Sequence, residues 1–236
     1  MSEATKNIVI VGVGGQGTLL ASRVIGNAII KNNYDVKVSE VHGMSQRGGS
    51  VITYVSYSRD KVYSPVIFEG CADLVLAFEL LEAYRAVSYL NKTGRIIVNT
   101  QQIDPMPVIT GAAQYPENIL EKITALGVRS TAVPAMDIAE KIGNLKVFNM
   151  VLIATLAASM NIPKATWLET ITELIPSKLL EANLQAFEAG WALVLSQAYD
   201  CGVVPFIGCE SLVPRSRKSR RYSVAKPIAT ASLVFL

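Results

Sequence analysis

Histidine and cysteine are scarce in this chain, and charge is thin. One histidine, His42, and three cysteines, at 71, 201 and 209, stand among 236 residues. A single imidazole excludes a histidine-based metal cluster. The cysteines have neither metal-ligand spacing nor the even count of a disulfide framework, so the chain reads as reduced and cytoplasmic. Long apolar runs are missing too. The longest, VFNMVLIATLAASM, has 14 residues and carries Asn149 and Thr155, whereas a membrane span takes ~20. The opening MSEATKN has neither the basic region nor the apolar stretch of a secretory signal. No membrane partner is therefore expected.

Charged residues make up only 17% and hydrophobic ones 50%, with a mean hydropathy of +0.34. Two explanations stand. A mostly parallel sheet, buried on both faces, has strands that read as unbroken apolar runs; alternatively, a partner covers extra surface. The net charge of +3 is a property of the C-terminal stretch alone. From Cys201 onward there are six Lys or Arg (215, 217, 218, 220, 221, 226) and one acid, Glu210. The first 200 residues then hold 16 basic and 18 acidic side chains, a net of −2. On charge grounds the body is not a nucleic-acid binder. Residues 201–236 form a basic tail without sustained periodicity. It reads as a nucleic-acid or membrane arm, or as a non-native or disordered appendage. LVPRS resembles an engineered protease site, which favours the second reading, and the tail is set aside from the fold.

What remains is a clear α/β text. NIVIVGVGGQGTLLASRVIGNAIIKN predicts a strand over Ile8–Gly12, a glycine turn, and a helix with Leu20, Val24 and Ala28 on its buried face. YDVKVSEV and VITYVSYS are further strands, and RDKVYSPVIFEG predicts a hairpin return with Arg59 and Asp60 at its tip. ADLVLAF and GRIIVN are buried strands flanking the helix ELLEAYRAVSYL. GVRSTAVPA adds a strand and MDIAEKIGN a short helix ended by Gly143. From Lys146 to about Ala198 the pattern is helical. Alternation of this kind predicts one Rossmann-like three-layer domain over 1–200, a mostly parallel sheet with helices on both faces and a helical C-terminal part.

GVGGQG places Gly12, Gly14 and Gly17 in G-x-G-x-x-G spacing between strand and helix, with Gly15 and Gln16 inside. Such a turn brings backbone N–H groups and the positive end of a helix toward an anion. Gln16 could add an amide contact. Glu40 lies at about the distance where a dinucleotide fold carries its ribose-binding acid. One reading is thus a stand-alone NAD(P)- or flavin-binding oxidoreductase; another is a glycine turn that serves packing alone. The stretch after Glu40 weakens the first: VHGMSQRGGS runs straight into a strand, with no crossover helix. In that loop Gly43, Gly48 and Gly49 allow positive φ or close approach. Arg47 offers a planar fork for phosphate or carboxylate. His42, Ser45 and Gln46 add neutral hydrogen-bonding groups. A Ser45–His42–Glu40 triad lacks the G-x-S-x-G elbow a nucleophile needs. The expectation is one polar crevice, built from both loops at the carboxyl edge of the sheet.

IVIVGVGGQGTLLASRVIG followed by SEVHGMSQRGGSVITYVSYS resembles the γ-type domain of the 2-oxoacid:ferredoxin oxidoreductases, over about residues 5 to 195. Within that family it is most similar to the small subunits of the indolepyruvate type. The resemblance implies an accessory subunit, inactive alone, of an enzyme that converts an arylpyruvate and coenzyme A to acyl-CoA, carbon dioxide and reduced ferredoxin. Thiamine diphosphate, Mg and [4Fe-4S] clusters are then expected on a larger partner subunit. This chain has no closely spaced cysteine quartet and no G-D-G…N segment for thiamine diphosphate. Two tasks remain open for the Arg47 loop: meeting coenzyme A phosphates, or pairing with an acid on the partner. No catalytic residue and no metal ligand is expected here. Trp167, Trp191, Phe148 and Met150 read as core or interface filling, and Cys71 as a small buried hydrophobe. Tyr54 and Tyr57 fall on opposite faces of one strand.

Overall fold

The computed structural model describes residues 4–42 and 48–201, the side chains of His42 and of 197–201 excepted; the predicted tail lies outside this range apart from Cys201. Strand β1 (Lys6–Val13) leads through the glycine turn into helix α1 (Thr18–Lys31). Strands β2 (Asp35–His42) and β3 (Ser50–Ser58) come next. After them lie β4 (Ala72–Ala77), α2 (Leu80–Arg85), β5 (Leu90–Asn99), α3 (Met106–Ile109), α4 (Ile119–Ala125) and β6 (Arg129–Val133). Helices α5 (Ala135–Ile142), α6 (Phe148–Ala157), α7 (Lys164–Leu174) and α8 (Ser177–Cys201) complete the described chain.

The six strands lie in the order β2-β3-β1-β4-β5-β6. β1, β4, β5 and β6 pair in parallel, and β3 alone runs against its neighbours. The sheet is mostly parallel, as the apolar runs predicted. β1 is central, and Ile8 to Val11 are at most 3% exposed, so both faces are covered. Ile8 and Ile10 face the α1 and α5–α8 layer, whereas Val9 and Val11 face α2 and α4. The period-2 alternation thus feeds two cores from one strand.

Helix α6 is apolar all round, and Met150 to Ala157 are buried without a break, as befits a helix enclosed by protein. It is held close to α8, where a Cβ on Gly190 would run into the Val151 carbonyl oxygen. Trp167 and Met150 are fully buried, as expected of core residues. Tyr57 packs on the α1 face against Tyr34, and Tyr54 on the opposite face against Tyr89, as period 2 requires.

Two expectations are corrected. Residues 59–71 form no return strand. β2 and β1 occupy both edges of β3, so a returning strand has no backbone to pair with. The segment instead straps the sheet: the Val62 N–H donates to Asp35 Oδ2 at 2.7 Å, and Ile67 is buried among Val9, Tyr54 and Val75. Cys71 is exposed, not buried, because it ends this strap in a turn just before β4. Helices α3 and α4 were not read from the sequence; they are short and set among Pro105, Pro107, Gly111 and Pro116.

Candidate functional site

β1, β2, β4, β5 and β6 all end at one edge of the sheet, and β3 begins there. The glycine turn, Gly48 and Gly49, the start of α2 and the segment after β5 are thereby gathered at the carboxyl edge. The Gly14 N–H donates to the Gly49 carbonyl at 2.8 Å, tying the turn to the base of the β2–β3 loop. The two glycine motifs predicted to share one crevice are in direct contact. Gly43, Ser45, Gln46 and Arg47 lie outside the described residues.

Gly17 sits at φ 85 and caps α1, which has no side-chain cap and no acid in its first turn. The positive end of a 14-residue helix is left open. A Cβ on Gly17 would come within 2.6 Å of Asn149 Nδ2. The third glycine therefore admits a side chain of α6, rather than the strand contact its spacing suggests. Asn149 is 7% exposed, and its Oδ1 has no hydrogen-bond partner among the described residues. Asn99 Oδ1 at the end of β5 is likewise buried and unpartnered. Buried acceptors of this kind are uncommon.

Gln16, offered by the sequence as a ligand contact, is turned inward. Its Oε1 accepts from the Val13 N–H at 2.7 Å, and its Nε2 donates to the Phe78 carbonyl and to Gln101 Oε1. It braces the turn against β4 and β5. Glu40 lies on β2 in register with Thr53 of β3, and β3 separates it from β1. At ~4.8 Å per strand spacing it is displaced by two strands from the glycine turn. A ribose-binding acid belongs on the strand beside β1, so a stand-alone dinucleotide site is not assembled.

Sequence reasoning missed the acids that frame the crevice. Glu79 is 1% exposed and has no cation paired with it among the described residues. Its oxygens accept from the Glu82 N–H at 2.9 Å, the Ile103 N–H at 3.1 Å and the Tyr115 hydroxyl at 2.5 Å. Burial, then the bond to Glu79, push the Tyr115 phenol well above its usual pKa. Glu82 is also buried; it accepts from Arg85 Nη1 at 2.7 Å and from Ser50 Oγ at 2.5 Å. Ser50 comes directly after Gly48 and Gly49, so Glu82 ties the loop's descending arm to α2. An acid directly after the apolar run ADLVLAF was the available signal.

The fold and this edge define an open α/β domain with a glycine turn and an uncapped helix start at the carboxyl edge of its sheet. Among the described residues no group of His, Cys, Asp or Glu could hold a metal ion, and no helix is long and apolar enough to cross a membrane. Comparison with known proteins narrows the class. A family model described as pyruvate ferredoxin/flavodoxin oxidoreductase matches residues 7–193, and the chain belongs to this family. It is 42% identical over 191 residues to the indolepyruvate oxidoreductase subunit IorB of Thermococcus kodakarensis, covering 78% of this chain and 93% of that one. Among solved structures, a keto/oxoacid ferredoxin oxidoreductase gamma subunit from Geobacter sulfurreducens matches with TM-score 0.60 at 22% identity, over 81% of this chain and 99% of that one. A 2-oxoglutarate:ferredoxin oxidoreductase from Magnetococcus marinus, solved with 2-oxoglutarate, coenzyme A and succinyl-CoA, matches with TM-score 0.64 at 20% identity. It covers 82% of this chain but only 32% of that longer one. The two structures speak for the fold alone.

Proposed function

We infer that this chain is the small subunit of an indolepyruvate-type 2-oxoacid:ferredoxin oxidoreductase. The observation that carries the reading is its near end-to-end similarity to the indolepyruvate oxidoreductase subunit, 93% of which is covered at 42% identity. The larger partner subunit carries thiamine diphosphate, Mg and the [4Fe-4S] clusters. Thiamine diphosphate, when bound there, supplies the carbanion chemistry of decarboxylation, and the clusters pass electrons singly to ferredoxin. The small subunit works in the cytoplasm, is inactive alone, and completes the complex.

Its carboxyl-edge crevice takes the phosphate-bearing part of coenzyme A. Support comes from the uncapped start of α1, the Gly12–Gly17 turn and the placement of Gly48 and Gly49 against it. Arg47, next in sequence to Gly48, supplies the fork for a phosphate. Gln16, Glu79 and Glu82 hold this frame in place and do not themselves meet the ligand.

Reconstitution tests the assembly. Neither subunit alone should reduce ferredoxin with indolepyruvate and coenzyme A, whereas the co-expressed pair should. Activity of the large subunit alone, equal to that of the pair, would overturn the reading. Arg47→Ala in the intact complex should raise the KM for coenzyme A about tenfold, the loss of one charged hydrogen bond. Subunit dissociation at unchanged KM would instead assign Arg47 to the interface.

A further inference from the structure

A second polar cavity opens at the amino edge of the sheet, remote from the glycine turn. The parallel register of β5 and β6 sets Arg95 directly beside Arg129. Arg95 in turn lies in register with Leu74, and Leu74 with Ile8, on the face covered by α1 and α6. Like charges directly opposed on neighbouring strands repel, yet neither guanidinium has an acid partner among the described residues. Arg95 Nη2 donates to the Ser159 carbonyl at 3.3 Å, and Arg129 Nη2 to the Thr93 carbonyl. Each fork has five N–H donors, so most remain for other partners. Burial, and after it the Arg129 charge, lowers the pKa of Arg95.

The one acid on the cavity wall is already engaged. Asp73 accepts from the Asn7 N–H at 2.8 Å and from Asn91 Nδ2 at 3.1 Å, and it faces Lys6 Nζ at 3.7 Å. Lys6 and Asp73 cancel, and two guanidinium charges are left uncompensated. The cavity measures about 490 Å³, within the range of small-molecule sites. Its remaining wall is partly apolar, with Tyr57, Met160 and Ile162. A concave site with paired planar forks on one side and an apolar wall on the other suits a compact dianion with an organic body.

We propose that this amino-edge cavity binds a small molecule through a phosphate group held between Arg95 and Arg129. The site is independent of the coenzyme A reading and stands if that reading fails. Both forks rise from adjoining strands of the sheet.

The test is calorimetric and thermal titration of the purified full chain with inorganic phosphate and with phenyl phosphate, against chloride at matched ionic strength. Both probes should bind and raise the melting temperature, and Lys122→Gln, an exposed change on the opposite sheet face, should leave this unchanged. Arg129→Gln changes an exposed side chain and should keep the fold; it should weaken binding roughly tenfold or more, the worth of one charge-assisted hydrogen bond. Arg95→Gln should do the same. Tighter binding of phenyl phosphate identifies an organic ester as the ligand type, and equal binding identifies free phosphate. Binding that survives both arginine variants, or is lost as fully in Lys122→Gln, would overturn the proposal. So would no response to either probe at millimolar concentration.

Discussion

At the carboxyl edge, Glu79 and Glu82 are buried and each is met by donors fixed in advance, from α2, Ile103, Tyr115 and Ser50. At the amino edge, Arg95 and Arg129 stand side by side with only carbonyls for partners among the described residues. Both edges place charge on the same sheet, but one closes its charges within the fold and the other leaves them open. The closed network holds loops in position; the open pair raises local potential. Toward solvent, the described residues of the first edge offer mainly backbone and a helix dipole, and those of the second offer side-chain charge.

Substitution should expose this asymmetry. Glu79→Ala orphans three donors and is expected to cost about 3 kcal/mol or more in chemical denaturation, at ~1 kcal/mol or more per unmet buried group. Its counterpart, Arg129→Gln, should shift stability by less than about 0.5 kcal/mol without ligand, as exposed substitutions do. Equal costs would end the distinction between the edges. A smaller contrast lies within the glycine turn. Gly17→Ala meets both a positive φ and the Asn149 amide, and should cost about 2–3 kcal/mol. Gly15→Ala has φ +100 but open space around it, so only the conformational part, about 1 kcal/mol, should appear. The difference between the two variants measures the α1–α6 contact.

The smallest effect is confined to alkaline solution. Tyr54, on the sheet face behind the crevice, has its pKa pushed up to about 12 by burial and then by Tyr89. Its folded value exceeds the unfolded one of about 10. Its contribution is therefore fully present below about pH 10 and is lost as pH climbs to about 12. A denaturation series across that window should show a loss that Tyr54→Phe reduces. An unchanged slope in the variant would assign the alkaline loss to other groups, Tyr115 foremost.

The first third of the chain was legible because its information is local. Glycine spacing, an apolar run and a four-residue repeat specify β1, the turn and α1 without reference to anything distant. The contact between Gly14 and Gly49 could be anticipated, since both motifs sit at strand ends on one edge. The return strand at 59–71 failed because hairpin signals say nothing about whether the partner's edge is occupied. Glu79 and Tyr115 are 36 residues apart, and Arg95 and Arg129 are 34 apart; only strand order and register unite them. Cys71 was misread because burial was inferred from residue type where position at a strap's end decides it.

The lone reversed strand has a further bearing on how such a subunit can diverge. A crossover helix between β2 and β3 would fix the connection's span and route. With the two strands antiparallel and zipped from Asp35–Ser58 to His42–Val51, the intervening loop is anchored at its base. Lengthening it would cost little more than closure entropy, about 0.6 kcal/mol per doubling. The glycine turn would keep its bond to Gly49 throughout. Insertions at this hairpin could thus retune what reaches the crevice while every helix of the scaffold stays where it is.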